Sequence, residues 1–370
     1  MEYTPLEVIG RGSFGQIRKV QREDGTILVR KEISYKAMNQ KERTQLIAEF
    51  RILKALDHPN IVKYLHHEHV PETHEVHLYM EYCDGGDLAS FIRELQQEQA
   101  HLPEREIWLV FTQLVLALYR CHYNTVAPAS TETGEPPSTI PQSFVLHRDI
   151  KPENVFISDS VIKLGDFGLA KLLDRENPLA NTYVGTPYYM SPEVLADQPS
   201  TPASDIWSLG CVMYELCALQ PPFRAKSHLQ LSQRIREGKF APIPDIYSST
   251  LSKLINALLT VTPSSRPTCA TLLKLDVIRV YRHELEVLAR ERALERREAQ
   301  LAAEKRTFKE RIEREVLAMY QDELAAAIDA EVERRMKLAR ATPEERVRGP
   351  RSLENRRALD ELNTSWDTKY

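Results

Sequence analysis

Residues 145–168 carry the sequence feature that most limits what this chain can fold into. Short apolar runs alternate there with two polar loops, HRDIKPEN (147–154) and GDFG (165–168). Such alternation predicts short buried strands that fix the loops between them. The loops bring together two carboxylates, a lysine and an amide, at Asp149, Lys151, Asn154 and Asp166. Carboxylate and amide oxygens suit Mg²⁺, and a lysine suits phosphate, so the pattern predicts a phosphate-handling site.

The pairing of HRDxKxxN with DFG resembles the signature of protein kinases, and two such phased motifs rarely arise by chance. In that interpretation Asp149 accepts the proton of the attacking hydroxyl and orients its oxygen. Lys151 reaches the γ-phosphate of ATP, while Asn154 and Asp166 bind Mg²⁺. A lysine two residues after Asp149, in place of the AAR or RAA of tyrosine kinases, predicts serine and threonine acceptors. The bulky Leu169 after DFG favours serine over threonine, by analogy with kinases generally.

A glycine-rich segment predicts where the phosphates of ATP bind. A short strand over residues 4–9 precedes GRGSFG (10–15), and a second strand follows it. Glycines let backbone amides approach phosphate oxygens, and a strand on both sides disfavours the dinucleotide-binding version, in which a helix must follow. A glycine-rich hairpin without a ligand is the alternative. The predicted ATP contacts are Ile9, Gly10, Arg11, Gly12, Ser13, Phe14, Gly15, Gln16 and Ile17.

Lys31 lies inside the apolar strand ILVRKEI (27–33). A lone lysine on a strand usually extends to solvent, but one that follows a phosphate loop can pair with phosphates. The next helix carries Glu49 on its apolar face, where a carboxylate needs a cation. We therefore predict an ion pair between Lys31 and Glu49, with Glu42 as the competing partner.

From residue 3 to about 281 the chain resembles the NIMA-related (never-in-mitosis) serine/threonine kinases. The resemblance implies an α+β, two-lobed protein kinase fold. A β-rich N-lobe with one main helix would occupy about 1–82, and a mostly helical C-lobe about 83–281. The resembling segments are FGQIRKV (14–20), LVRKEI (28–33), EYCDGGDLASFI (81–92), HRDIKPENVFI (147–157), IKLGDFGLAK (162–171) and VGTPYYMSPE (184–193).

The resemblance also implies roles for residues outside the two loops. Met80 would be the gatekeeper of the adenine pocket, the backbones of Glu81 and Cys83 would meet adenine, and Asp87 would lie near the ribose.

Three structural contacts are implied in the same way. Glu193 would pair with Arg266, and Asp205 would brace the catalytic loop. A column linking the lobes would contain Leu53, Tyr64, His147 and Phe167.

The segment from Asp166 to Glu193 contains two candidate regulatory threonines. In kinases with an arginine before the catalytic aspartate, here Arg148, a phosphate on this segment pairs with that arginine. Phosphorylation of Thr182 is therefore predicted to order the segment, with the enzyme as its own activator in trans. Thr186 is the competing site, although its hydroxyl is expected to bond near the catalytic loop. Alternatively, both threonines only satisfy hydrogen bonds of the loop.

The composition changes after residue 281. Residues 281–370 contain 20 Lys+Arg and 20 Asp+Glu, and no proline occurs between 267 and 343. High helix propensity predicts about 60 residues of helix over 282–342, followed by a disordered tail over 343–370. Apolar residues recur at every seventh position, at Val280, Val287, Leu294, Leu301 and Phe308, and a fuller apolar stripe follows with Ile312, Val316, Met319, Leu324, Ile328 and Val332. Charged partners before Phe308 leave two alternatives open, a homodimeric coiled coil through 282–342 and a single solvated helix.

Residues 123–143 contain four prolines and many Ser and Thr, which predict a surface insert. The five cysteines are scattered and predict free thiols in a reducing compartment. No secretory signal and no apolar run of about 18 residues is evident, and the net charge is −4. We expect a soluble cytoplasmic and/or nuclear protein with protein substrates and no nucleic-acid or membrane partner. The resemblance adds spindle poles or centrosome-like structures as locations.

Two rival hypotheses belong to other functional classes. A pseudokinase scaffold would have lost Lys31, Asp149 or Asp166, and none of the three is lost. A coiled-coil assembly protein that carries a kinase remains compatible with kinase activity.

Overall fold

The computed structural model describes residues 3–12, 15–130, 143–167, 171–174 and 187–340. Within these ranges a few side chains are not described, among them those of Glu42 and Glu49. One compact unit contains the chain up to Ala289, and the chain from Arg290 onward belongs to a second. In the described ranges, none of the helices combines the length and the apolar character that a membrane span requires.

A five-stranded antiparallel sheet opens the first unit. Its strands are β1 (Tyr3–Gly12), β2 (Gly15–Arg22), β3 (Ile27–Ser34), β4 (Tyr64–Val70) and β5 (Glu75–Glu81), in the order β1-β2-β3-β5-β4. Helix α1 (Gln40–Ala55) connects β3 with β4. β1 is longer than the predicted strand at 4–9, because its pairing with β2 continues to Gly12 opposite Gly15.

The strand register gives Lys31 its neighbours. Lys31 lies opposite Ile17 on β2 and Leu78 on β5, and Val29 lies opposite Met80. Directly opposed residues share a face, and side chains alternate along a strand. One face of the sheet therefore carries Lys31 among apolar side chains, with Met80 two positions from Leu78 on that same face.

Gly15 is required by the packing of β2 on β3. A Cβ atom at this position would lie 1.7 Å from the carbonyl oxygen of Glu32. No side chain fits there, so close approach of two backbones requires this glycine, independently of any phosphate.

The remainder of the first unit is mostly helical. Its helices are α2 (Leu88–Glu98), α3 (Glu104–Tyr123), α4 (Pro202–Ala218), α5 (His228–Glu237), α6 (Ser249–Leu258) and α7 (Cys269–Leu273). Two small antiparallel pairs join β6 (Ser143–Leu146) to β9 (Lys171–Asp174) and β7 (Val155–Ser158) to β8 (Val161–Leu164). α3 and α4 are buried along most of their length and form the centre of the core. The predicted α+β, two-lobed architecture is confirmed.

The last helix, α8, spans Asp276–Arg340. Its first turns belong to the compact unit that ends at Ala289, where Ile278 is fully buried and Tyr281 packs on Trp108. From Arg290 on, the apolar residues of α8 are exposed. Residue 281 lies inside α8, and the predicted domain boundary there stays a prediction. The predicted tail, 343–370, lies outside the described residues.

Candidate active site

The catalytic loop brings Asp149, Lys151 and Asn154 together. Lys151 Nζ donates to Asp149 Oδ2 at 2.6 Å, and Asn154 Nδ2 donates to the same oxygen at 3.0 Å. Asn154 Nδ2 also donates to the backbone oxygen of Asp149 at 2.8 Å. The two motif residues thus fix the orientation of the Asp149 carboxylate, and the amide oxygen of Asn154 remains to bind a cation.

The second polar loop lies directly beside the first. The backbone N–H of Gly165 donates to the carbonyl of Asn154 at 2.9 Å. A Cβ atom at Gly165 would lie 2.7 Å from Val62 and 2.8 Å from Phe156, so the loop can approach this closely only with glycine there. The next residue, Asp166, consequently lies beside the catalytic loop.

Lys31 reaches Asp166 across 135 positions of sequence. Lys31 Nζ donates to Asp166 Oδ1 at 3.1 Å. Desolvation alone would raise the pKa of Asp166, but the charge and hydrogen bond of Lys31, with a smaller effect of Lys151, hold that pKa below its usual range. Asp166 is therefore ionised at neutral pH, as a metal ligand must be.

The predicted partner of Lys31, Glu49, lies on α1. Its side chain and that of its competitor Glu42 lie outside the described side chains, so their pairing with Lys31 stays a prediction.

Asp205 braces the catalytic loop from α4, as predicted. Its carboxylate accepts the backbone N–H of His147 at 3.0 Å and that of Arg148 at 2.9 Å. Arg148 has a φ of 69°, and the two bonds fix this uncommon backbone conformation immediately before Asp149. His122 on α3 also bonds Asp205, at 2.9 Å. Burial favours the neutral form of Asp205, but these partners outweigh it and lower its pKa.

His147 and Phe167 connect the two loops. The ring centroids lie 4.6 Å apart, and His147 Nε2 donates to the carbonyl of Gly165 at 3.0 Å. Complete burial lowers the pKa of His147, which therefore remains neutral. Leu53 and Phe167 belong to the large apolar core of the first unit, and Tyr64 packs against that core. The contact of His147 with Phe167 is present, whereas the rest of the predicted column stays a prediction.

The predicted ion pair of Glu193 and Arg266 is present and buried. Two hydrogen bonds of 2.8 Å join the guanidinium to the carboxylate, and Ser204 donates a third at 2.8 Å. Burial would raise the pKa of Glu193, but Arg266 outweighs it and holds the pKa low. Since either charge alone would be strongly destabilising inside the protein, the pair ties the segment after residue 187 to the helical lobe.

The end of β5 and the segment that follows it contain the residues assigned to adenine and ribose. Met80 and Glu81 end β5, and Cys83 is half-buried immediately beyond it. Glu81 Oε1 accepts the backbone N–H of Lys63 at 2.6 Å and pairs with Lys163 at 2.9 Å. Asp87 caps α2 by accepting the N–H of Ser90 at 2.7 Å. This segment is thereby anchored to the sheet at one end and to α2 at the other.

Several predicted site residues lie outside the described residues. These are Ser13, Phe14, Leu169, Thr182 and Thr186. The strands on both sides of Ser13 and Phe14 are described, and they agree with the predicted strand–loop–strand arrangement.

Two polar contacts near the site were not anticipated from the sequence. His122 lies in the largely apolar helix α3, where nothing in the local pattern distinguishes it from an ordinary core residue. Tyr189 donates to Glu215 Oε2 at 2.8 Å. Burial raises the pKa of Glu215 to about 7, the charge of Glu153 adds to that shift, and the bond from Tyr189 opposes it.

Comparison with known proteins shows that the chain is similar to protein kinases. The family model for the protein kinase domain matches residues 3–278. The chain is 50% identical over 344 residues to the G2-specific protein kinase nim-1 of Neurospora crassa, a match covering 90% of this chain and 40% of that protein. It is 47% identical over 357 residues to the G2-specific protein kinase nimA of Emericella nidulans, covering 90% and 51%.

Human serine/threonine-protein kinase Nek2 is 43% identical over 304 residues, covering 81% of this chain and 64% of Nek2. The chain thus spans about half or less of the length of the two fungal relatives.

Proposed function

The chain belongs to the protein kinase family, and we propose that it transfers the γ-phosphoryl group of ATP to serine and threonine hydroxyls of proteins. The observation that supports this proposal most strongly is that the two polar loops lie side by side. Asp149 is oriented by Lys151 and Asn154, while Lys31 reaches Asp166 beside them. Phosphoryl transfer needs mainly positioning and charge stabilisation, and this constellation supplies both.

Asp149 acts on the acceptor hydroxyl. Its carboxylate accepts the proton and directs the attacking oxygen toward the γ-phosphorus. Lys151, bonded to that carboxylate, lies where a cation can stabilise the negative charge of the transferred group. Lys31 lies on the face of the sheet that carries Met80, so one surface provides both a cation for phosphates and an apolar wall for adenine.

The donor set suits Mg²⁺, which is bound by hard oxygen ligands. Asn154 would contribute its amide oxygen, because its Nδ2 is committed to Asp149. Asp166 would contribute its ionised carboxylate. When bound, the metal neutralises phosphate charge.

The first experiment separates a kinase from a pseudokinase scaffold. Asp149→Asn keeps the shape of the side chain and removes the carboxylate, so ATP binding should persist while kcat falls by roughly 10³-fold or more. Lys31→Met should also abolish turnover. Calorimetric ATP binding and single-turnover transfer to a matched Ser/Thr/Tyr peptide set would test this. Ser should exceed Thr, and Tyr should be inert.

Either of two results contradicts the proposal. One is substantial transfer by the purified Asp149→Asn protein, and the other is a preference for the tyrosine peptide. A preference for threonine would contradict only the finer prediction drawn from Leu169. Glu98→Gln, an exposed substitution on α2, provides a matched control for loss of a carboxylate.

We further propose a role at entry into mitosis, within the cytoplasm or nucleus and at spindle poles. Support comes from the names of the relatives, two of which are G2-specific kinases. Met80→Gly should admit a bulky ATP-competitive inhibitor that the wild-type pocket rejects. Cells carrying that variant should then stop before mitosis when the inhibitor is added, whereas wild-type cells should not. Normal mitotic entry despite complete inhibition would contradict the proposal.

A further inference from the structure

The first part of the predicted insert, residues 124–130, contacts the first turns of α8. Ser130 donates its backbone N–H to Glu286 Oε1 at 2.8 Å and its hydroxyl to Glu286 Oε2 at 2.5 Å. His283 Nδ1 lies 3.4 Å from Ser130 Oγ, and Arg282 donates to the carbonyl of Pro128. One serine thus bonds both oxygens of one carboxylate on the helix.

The same turns of α8 also contact α3. Arg105 forms an ion pair with Glu284, and Trp108 stacks on Tyr281 with ring centroids 6.2 Å apart. These contacts secure one side of the helix, whereas Ser130 and Pro128 secure another. The insert therefore acts as a strap, defined here as residues 124–130, across residues 282–286.

The strap contacts a buried cation, Arg282. Arg282 is only 6% exposed, and its Nε has no hydrogen-bond partner among the described residues. Burial lowers the pKa of Arg282 despite the nearby charge of Glu286. An incompletely bonded guanidinium favours return to water, so the docked state depends on favourable contacts that offset this cost. The bonds of Ser130 to Glu286 are the charge-assisted contacts of the strap.

We propose that Ser130 is a phosphorylation site, and that its modification releases residues 276–289 of α8 from the strap. A phosphate removes the hydroxyl donor and places about −1.5 to −2 charges beside Glu286. Arg282 is buried and donates to the carbonyl of Pro128. Ser130 itself is partly exposed, so an enzyme can reach it.

The modification is an ordinary phosphoryl transfer. Ser130 Oγ forms a bond to the γ-phosphorus of ATP, and the bond from that phosphorus to the β–γ bridging oxygen breaks. ADP leaves with the electron pair, and the hydroxyl proton passes to the catalytic carboxylate of the kinase and then to water. The enzyme is either a second copy of this chain, which rests on the proposed function, or another serine/threonine kinase.

Phosphopeptide mapping tests the modification itself. Full-length wild-type chain and the Asp149→Asn chain are each isolated from dividing cells. Phosphate on Ser130 in the wild type alone would assign the modification to the chain's own activity, and phosphate in both would assign it to another kinase. Either result supports the site. Unmodified Ser130 in both proteins overturns it, whatever the kinase assay shows.

Hydrogen exchange of the full-length protein tests the release. Ser130→Glu should increase exchange of residues 276–289 about tenfold, whereas Thr125→Glu, at an exposed position of the same strap, should not. Adding Glu286→Lys to Ser130→Glu should restore protection by exchanging repulsion for an ion pair. Peptide kinase activity should remain, which excludes general misfolding. Equal exchange in Ser130→Glu and Thr125→Glu, or no recovery with Glu286→Lys, overturns the proposed release.

Discussion

At the scale of single residues, the pKa of each carboxylate depends on the groups that bond to it. Glu193 and Asp205 are buried, whereas the side chain of Asp166 is 44% exposed, yet each has a lowered pKa because a cation or a set of N–H donors outweighs the cost of desolvation. Glu215 has the opposite balance, since its hydrogen bond from Tyr189 does not offset burial and the charge of Glu153. Three carboxylates are therefore ionised at neutral pH, while Glu215 titrates within the physiological range.

This balance predicts a pH-dependent stability. The pKa of Glu215 rises from 4.5 to about 7 on folding, so between these values the folded chain binds more protons and its stability falls as pH rises. Glu215→Gln cannot ionise and retains an acceptor for Tyr189. We expect it to raise the free energy of unfolding at pH 8 by about 1–3 kcal/mol, and much less at pH 5. Denaturant unfolding at both pH values measures this. Glu98→Gln is the exposed control, and an equal gain at both pH values would contradict the argument.

At the scale of elements, the chain between β9 and the buried Glu193 contains the predicted regulatory site, Thr182. Its end is fixed by the ion pair with Arg266, and β9 is paired with β6. Arg148, directly before Asp149, has its backbone fixed by Asp205. We propose that phosphate on Thr182 pairs with Arg148 and orders the segment, the chain modifying itself in trans.

Thr182→Ala should therefore lower kcat/KM for a peptide by roughly tenfold or more, and Thr182→Glu should recover part of it, since a phosphate adds charge and strong acceptors. Asn181→Ala, the neighbouring substitution, serves as the control. Steady-state kinetics with phosphosite mapping provide the measurement. Full activity of the alanine variant, together with an unmodified Thr182 in active wild type, would exclude this mechanism and favour Thr186 or a purely structural role.

At the scale of the whole molecule, the assembly state depends on α8 beyond the first unit. Its apolar side chains there are exposed in the single chain, including Phe308, Ile312 and Met319. Ion pairs at i,i+4, such as Arg306 with Glu310, also occur along the helix, as expected of a solvated one. We propose that two copies pair through these apolar positions, because an exposed apolar stripe is stabilised by a partner helix.

Light scattering of the full chain should then give about twice 42.6 kDa at micromolar concentration. The double variant Ile312→Lys with Met319→Lys should be monomeric, while Gln321→Lys should remain dimeric. Truncation should be made after Ala289 and not at Tyr281, because Arg282 and Glu286 belong to the packing of the first unit. A monomeric wild-type chain would favour the solvated single helix.

The sequence by itself determined the features that depend on short spacing. Asp149, Lys151 and Asn154 are close in the chain, so the turn between two short strands is enough to make them meet. The helical character of α8 likewise follows from local propensity and the absence of proline. The contacts of Glu193 with Arg266 and of Asp205 with the catalytic loop were accessible only through family resemblance, since the partners lie 73 and 57–58 positions away.

Only the tertiary structure decided which distant residues share a buried environment. His122 and Glu215 lie on helices whose local patterns fit an ordinary core, and their electrostatic roles depend on which helices pack together. Ser130 and Glu286 are 156 positions apart, and nothing in the polar insert indicates a contact with α8. The physical reason is that burial and pairing are properties of a packed neighbourhood, which local spacing determines only for residues close together in the chain.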